Sequence, residues 1–300
     1  MTHRKGFTLI ELMVVISIVA VLSSIILASL SSARSGASFA AGEEFAGQTQ
    51  SALYDARVVY VDFDDAGNTL PTNVQSYGTV SGSFTIPNYT FFSITADTDL
   101  HKTGKQLTVV YAEASGGFDL GGSSDTKNQT IINNAISGGN WAMSVWYKPA
   151  ASLGGTGAPI VGLGSNGNLL FSSIAGNSSG ICSISANLST ADGGAAATTP
   201  SFRCKSGSWY NIVASVKYPN GTGNSTISLY VNGTFIGSAT QTPNYAGVGT
   251  FGIGGNWYKT AGAIDDAALY SASLTAMDVY KIYALEAPSH GIVALGTSDK

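Results

Sequence analysis

Charge is scarce in this chain of 300 residues: Asp, Glu, Lys and Arg together make up 11%, against roughly 25% in ordinary soluble domains. Ser, Thr, Asn and the 37 glycines must therefore cover much of the surface. Basic side chains are the fewest, 14 Lys and Arg against 18 Asp and Glu, which leaves a formal net charge of -4. Phosphate contacts need clustered Arg and Lys, so this balance argues against nucleic acid as a partner. Cysteine is limited to Cys182 and Cys204. That rules out a disulfide-dense miniature fold and a thiolate zinc centre, and leaves either one disulfide or two buried thiols. Histidine is limited to His3, His101 and His290, and their spacing forms no triad and no metal motif. Beyond residue 54 the only glutamates are Glu113 and Glu286. Glycoside hydrolysis by two carboxylates set about 5 to 9.5 Å apart thus has no local glutamate pair to use. No proline precedes Pro71, so nothing ahead of it forces a helix to kink.

What the sequence does have is a long apolar run near its start. After the basic pair Arg4-Lys5 and the single acid Glu11, no charge appears from Leu12 through Ala33. A helix over residues 7–30 would be about 36 Å long at about 1.5 Å per residue, enough to cross a hydrocarbon core of roughly 30 Å. Arg4 and Lys5 on the short flank keep that end cytoplasmic and send the rest of the chain outward. Glu11 is the anomaly. An ionisable residue inside a membrane helix costs about 2.5 to 3.5 kcal/mol and marks function. A cut after Gly6 would place a new α-amino group on Phe7, one helical turn from Glu11. Ammonium and carboxylate at about 4 Å attract by about 4 kcal/mol at an effective dielectric near 20, which offsets the insertion cost. The pair could form within one subunit or between neighbouring parallel helices.

These residues carry a resemblance. Lys5-Gly6-Phe7-Thr8-Leu9-Ile10-Glu11 is similar to the class III leader of type IV pilins and of the pseudopilins of type II secretion. The resemblance implies a leader over residues 1–6, a cut between Gly6 and Phe7 by prepilin peptidase, N-methylation of Phe7, and Glu11 as the assembly carboxylate. It also implies insertion in a bacterial inner membrane before assembly and an extracellular helical homopolymer after it, built by pilus or type II secretion machinery. The helix would run over residues 7–54 and span the membrane over 7–30. Ser31-Ser32-Ala33 keeps a second reading open, a Sec signal peptide or a plain anchor, but the apolar region is longer than the usual 7 to 15 residues and holds a glutamate. Beyond the membrane, Phe39, Ala46 and Leu53 recur at sevens and mark one apolar stripe.

From Val58 onward the pattern changes to short, often alternating runs between Gly, Asn and Ser clusters: 58–63, 141–147, 181–185, 209–216, 226–231, 250–253 and 263–264. Such spacing predicts an all-β sandwich. Asn232-Gly233 is the strongest turn signal, suited to a type I′ hairpin, and Thr275 with Asp278 forms a capping box opening a short helix through Leu285. Cys182 and Cys204 both fall in the exported part, where a disulfide closing the loop that holds residues 190–199 would stabilise by roughly 3 kcal/mol.

These runs resemble the laminin G-like, concanavalin A-like jelly roll. Leu229-Tyr230-Val231-Asn232-Gly233 and Ile264-Asp265-Asp266 with Leu269-Tyr270 and Leu274-Thr275 are the best markers. The likeness covers a sandwich over residues 55–287 followed by a tail, 288–300, and is weak between Asn68 and Lys127, where Leu70-Pro-Thr-Asn-Val-Gln75 replaces the usual Asp-Ser-Gly-Asn loop. It implies closure by the first and last strands, bringing Asp64 and Asp65 near Asp265 and Asp266. Many such domains hold structural calcium with acids of this kind, which takes about 6 to 8 oxygen ligands; the alternative is that these aspartates accept backbone hydrogen bonds in turns. Members bind glycans or proteins, and Trp257 and Tyr258, with Tyr245 and Tyr89, are candidates for a sugar-stacking platform or simply core and edge aromatics. Glycosidases also use this sandwich, but the closely spaced glutamates that they place on one strand are missing.

The expectation is therefore an N-terminal helix carrying a β-sandwich head: a filament subunit displaying a lectin-like domain for adhesion to a glycan or host surface, without enzymatic activity and requiring no cofactor. A type II secretion pseudopilin and an anchored carbohydrate-binding protein that never polymerises are the alternatives. Mass spectrometry of the mature chain is expected to find methylated Phe7 at its N-terminus; a chain beginning at Met1, or downstream of Ala33, overturns the leader reading.

Overall fold

The computed structural model describes residues 9, 10, 12–19, 22, 23, 53, 56–61, 92–96, 105–109, 118–120, 126–150, 158–163, 169–170, 173–176, 181–188, 197–218, 224–242, 250–253 and 262–292. The chain divides into two compact units, Met1–Ser51 and Ala52–Lys300.

In the first unit, residues 9, 10, 12–19, 22 and 23 are helical. Their large apolar side chains, from Leu9 through Val15 to Leu22, are 51% to 78% exposed. A helix apolar on every side belongs in lipid or among other helices. Among the described residues no helix is long and apolar enough to cross a membrane; the span expected over 7–30 is described only in part, and Gly6, Phe7 and Glu11 lie outside the described residues.

The second unit is an antiparallel β-sandwich. In chain order its strands begin with β1 (Arg57–Val61), β2 (Phe92–Ala96), β3 (Lys105–Val109), β4 (Phe118–Leu120), β5 (Trp141–Pro149) and β6 (Ala158–Pro159). Next come β7 (Val161–Leu163), β8 (Leu169–Leu170), β9 (Ser173–Gly176), β10 (Ile181–Ser185), β11 (Asn187–Leu188) and β12 (Ala197–Thr198). The last are β13 (Phe202–Lys205), β14 (Tyr210–Lys217), β15 (Ser225–Val231), β16 (Thr234–Gln241), β17 (Phe251–Ile253) and β18 (Gly262–Tyr270). The large sheet has the order β16-β15-β14-β5-β18-β3-β2, with β1 also paired to β18. Smaller sheets, β13-β10-β9-β6, β4-β17-β7-β8 and β11-β12, supply the rest.

Strand parity explains the core. Trp141, Met143, Val145 and Tyr147 of β5 and Ile212, Ala214 and Val216 of β14 point one way, to meet Val161, Leu163, Cys182, Ile184, Phe251 and Ile253 of the smaller sheets. The intervening residues, Ala142 and Trp146 of β5 and Val213 of β14, are buried too. They lie on the outer face of the large sheet, beneath the C-terminal helix Ala276–Glu286. Leu53 and Ala56 pack against the same face.

Local signals hold. The β15–β16 turn has Asn232 at φ 50° and Gly233 at φ 75°, the positive pair that a type I′ turn requires. The Asn232 side chain accepts a hydrogen bond from the Asn211 backbone at 3.0 Å, which ties the hairpin to β14. Thr275 and Asp278 form the expected capping box. The described part of the first expected strand, 58–63, ends at Val61, and 263–264 grows into the nine-residue β18. One element was missed: the helix Thr126–Ser137. Asn, Thr and Ile are modest helix formers, yet Ile132, Ala135 and Ile136 share a face and are buried in the core.

Cys182 and Cys204 form a disulfide directly across β10 and β13, with Cα atoms 4.8 Å apart. Replacing both with serine is expected to lower stability by about 3 kcal/mol, from the loop entropy returned to the unfolded chain. Denaturant midpoints of the oxidised chain and the double variant check this; unchanged midpoints would contradict it.

Candidate functional site

β18 carries the most unusual chemistry of the sheet. Ile264, Ala267 and Leu269 face the core, while Ala268 and Tyr270 face the C-terminal helix. Simple alternation fails between Asp265 and Ala268, where the register against β5 shifts. Asp266 supplies the extra residue at φ 46°, a left-handed conformation that aspartate tolerates better than bulky side chains. The bulge lets two consecutive carboxylates stay buried together, Asp265 with no exposure and Asp266 with 7%.

The cover above them comes from the chain that follows. Leu274 docks through Ser215, whose hydroxyl donates to the Leu274 carbonyl at 2.9 Å and accepts from its N–H at 2.8 Å. Val279 and Ile282 then bury one side of the helix, and a short 3-10 turn, Ala287–His290, closes it. His290 lies flat on Trp146, ring centroids 3.9 Å apart and 4° from parallel, with the edge of Trp209 at 5.0 Å.

Polar groups converge here. His290 Nε2 stands 3.4 Å from Asp265 Oδ2 and 3.6 Å from Asp266 Oδ2. Tyr60 donates its hydroxyl to Asp266 Oδ1 at 2.6 Å, and the Asp266 backbone N–H donates to Asp265 Oδ1 at 3.0 Å. Arg57 lies over the Tyr60 ring, 3.8 Å from its centroid. Glu286, half-buried as a residue, accepts from Trp146 Nε1 at 2.7 Å and from Asn211 Nδ2 at 3.5 Å. Burial, and then the charge of Asp266, push its carboxyl up to about 8 against the opposing pull of the Trp146 hydrogen bond. Burial and then Asp266 likewise raise the Tyr60 hydroxyl well above its ordinary range.

Of the residues expected from sequence, Asp265 and Asp266 meet in this cluster. Asp64, Asp65, Trp257 and Tyr258, together with Tyr245 and Tyr89, lie outside the described residues. The antiparallel pairing of β1 with β18, Val61 opposite Ala267, does bring the first and last strands together. His290, whose spacing suggested no metal motif, sits against both aspartates, and Asp265, Asp266 and His290 offer ligand atoms within 4.8 Å of one another. Calcium prefers a shell of about 6 to 8 oxygens. A shared imidazole nitrogen fits that shell poorly. For His290 the available signal is the outward parity of Trp146, because an indole on a supposedly wet face requires a cover.

Comparison with known proteins gives the class. A family model described as the concanavalin A-like lectin/glucanases superfamily matches residues 121–280, more than half of the chain, and the chain belongs to that superfamily. A second model, the prokaryotic N-terminal methylation motif, matches residues 1–27. Comparison with curated proteins gave no match. Among solved structures, the botulinum neurotoxin serotype D binding domain is 12% identical with a TM-score of 0.52, over 78% of this chain and 53% of that one. A Trypanosoma rangeli sialidase in complex with sialic acid is 13% identical with a TM-score of 0.52, over 78% of this chain and 33% of that one. The chain thus spans about half of the toxin domain's length, and likeness at such identity concerns the fold.

Trp146→Phe is expected to destabilise the sandwich by about 1 to 3 kcal/mol, because Glu286 loses its indole donor while remaining covered. Chemical denaturation checks this; a change below about 0.5 kcal/mol would mean that water replaces the donor freely.

Proposed function

We propose that this chain is a pilin-like subunit: a membrane-inserted precursor, cut after Gly6 and methylated on Phe7, that enters a helical filament through residues 7–54 and carries a lectin-like sandwich outward. The observation that carries the reading is the methylation motif at residues 1–27 joined to a concanavalin A-like body in one chain. The exposed apolar side chains at the described positions from Leu9 to Leu22 support it, because such a helix requires lipid first and neighbouring helices later. Glu11 meets the methylated amine of Phe7, of its own or an adjacent subunit, and that pairing compensates a carboxylate held in an apolar bundle. Prepilin peptidase and the filament assembly machinery are the implied partners.

The head binds and does not catalyse. Among the described residues, Asp265 and Asp266 are buried and the Glu286 carboxylate is turned onto Trp146 beneath the C-terminal helix, where no polysaccharide can lie across them. Recognition falls to loops and exposed aromatics, with Trp257 and Tyr258 as the proposed platform. A glycan or a protein of a host surface is the proposed ligand, and adhesion its use.

Cells expressing the chain are expected to shed filaments that contain it, and Glu11→Ala to abolish them while leaving a folded head in the membrane. Normal filaments from Glu11→Ala overturn the assembly scheme, and membrane-bound wild-type chain with no filament points to the pseudopilin. Purified filaments on a glycan array, sialylated glycans included, test adhesion, with Trp257→Ala expected to lose at least tenfold in binding.

A further inference from the structure

The cluster on β18 is built in a way that neither filament assembly nor adhesion requires. His290 Nδ1 lies 3.0 Å from the Glu286 carbonyl oxygen and 3.1 Å from Ser289 Oγ, and the Ser289 hydroxyl itself donates to that carbonyl at 2.7 Å. A carbonyl oxygen only accepts, so Nδ1 carries the ring hydrogen. Nε2, in a side chain with no exposure, has no hydrogen-bond partner and faces two carboxylate oxygens. In the neutral ring that atom is a lone pair pointed at negative charge. A cation placed between them would accept that lone pair and both oxygens.

The distances say which kind of group. The separations of 3.4 and 3.6 Å from Nε2 to the two Oδ2 atoms exceed the usual N–H···O range of about 2.7 to 3.2 Å. Two ligands bound at about 2.1 Å around a tetrahedral ion stand about 3.4 Å apart; the two Nε2 separations match this, while the three ligand atoms together lie within 4.8 Å of one another, so the two carboxylates would draw closer on binding. The outer partners are in place as well. The second oxygen of Asp265 accepts from the Asp266 N–H, that of Asp266 accepts from Tyr60, and Nδ1–H of His290 donates to a backbone carbonyl, the arrangement that orients metal ligands and fixes the histidine tautomer. The Glu286 carboxyl and the Arg57 guanidinium lie near the pair as well. The Asp266 side chain keeps 9% of its surface exposed, giving an ion an edge to enter by.

We propose that Asp265, Asp266 and His290 form a site for a borderline divalent cation of the zinc type, which pins the C-terminal 3-10 turn to the bulge of β18. Nitrogen with two carboxylate oxygens suits zinc, cobalt or manganese better than calcium. Its role is structural: the ion joins the strand that closes the large sheet to the segment that covers it.

The test uses the full-length chain in detergent, freed of metal with a chelator and then titrated separately with Zn²⁺, Co²⁺ and Ca²⁺. Expected are one Zn²⁺ per chain, competition between Zn²⁺ and Co²⁺, and a visible d–d band from bound Co²⁺ of the intensity typical of tetrahedral sites. Calcium should bind at least tenfold more weakly. Tyr60→Phe, which removes an outer partner, should weaken Zn²⁺ about 10- to 100-fold, and His290→Gln should abolish the cobalt band. Equal zinc affinity in wild type and His290→Gln, or tighter binding of calcium than of zinc, overturns the assignment. Should His290→Gln not fold, the wild-type cobalt spectrum decides: a saturated sample without that band sinks the proposal. None of these readings depends on filaments or glycans, so the site and the adhesin reading fail separately.

Discussion

The outer face of the large sheet cannot be left to water. Trp146, Val213, Ala268 and Tyr270 project from it, and burying side chains the size of Val213 or larger contributes about 1.5 to 3 kcal/mol each. The C-terminal helix meets this demand, and its placement is fixed at both ends: by the Thr275–Asp278 capping box and the Ser215–Leu274 pair at its start, and by His290 stacked on Trp146 past its end. Once that cover is down, Asp265 has no exposure and Asp266 keeps only 7%. The unusual electrostatics of the β18 bulge follow from the need to hide an indole.

Much of the sandwich could be read from local chemistry. Alternation in β5, β14 and β15, the Asn232-Gly233 turn, and the Thr275–Asp278 cap are properties of a few adjacent residues, and each is found where the sequence places it. The cross-strand disulfide was legible for a different reason, because only two cysteines exist to pair. The helix Thr126–Ser137 was not legible, since its residues favour no helix strongly and only burial of Ile132 and Ile136 selects one. His290 was hidden in another sense. Nothing local connects it to Asp265; the chain between them forms a helix that folds back, and that return is a tertiary event.

Two solvents shape the two units. The first exposes apolar side chains at almost every described position, which only lipid or sister helices can satisfy. The second unit's described strands bury apolar residues on both faces of the large sheet, and Asn211, Ser144 and Ser215 with them, while Thr234, Ser238 and Thr240 of β16 and Lys217 of β14 are exposed.

β18 is the last strand of the described chain, yet it lies in the sheet between β5 on one side and β3 and β1 on the other. A chain synthesised from its amino end presents β1 to β17 before the row that joins β5 to β3 and β1 exists. Until then β1, β3 and β5 have no common neighbour in the large sheet. Residues 262–270 then join three neighbours at once, so the large sheet closes only when nearly the whole chain is present.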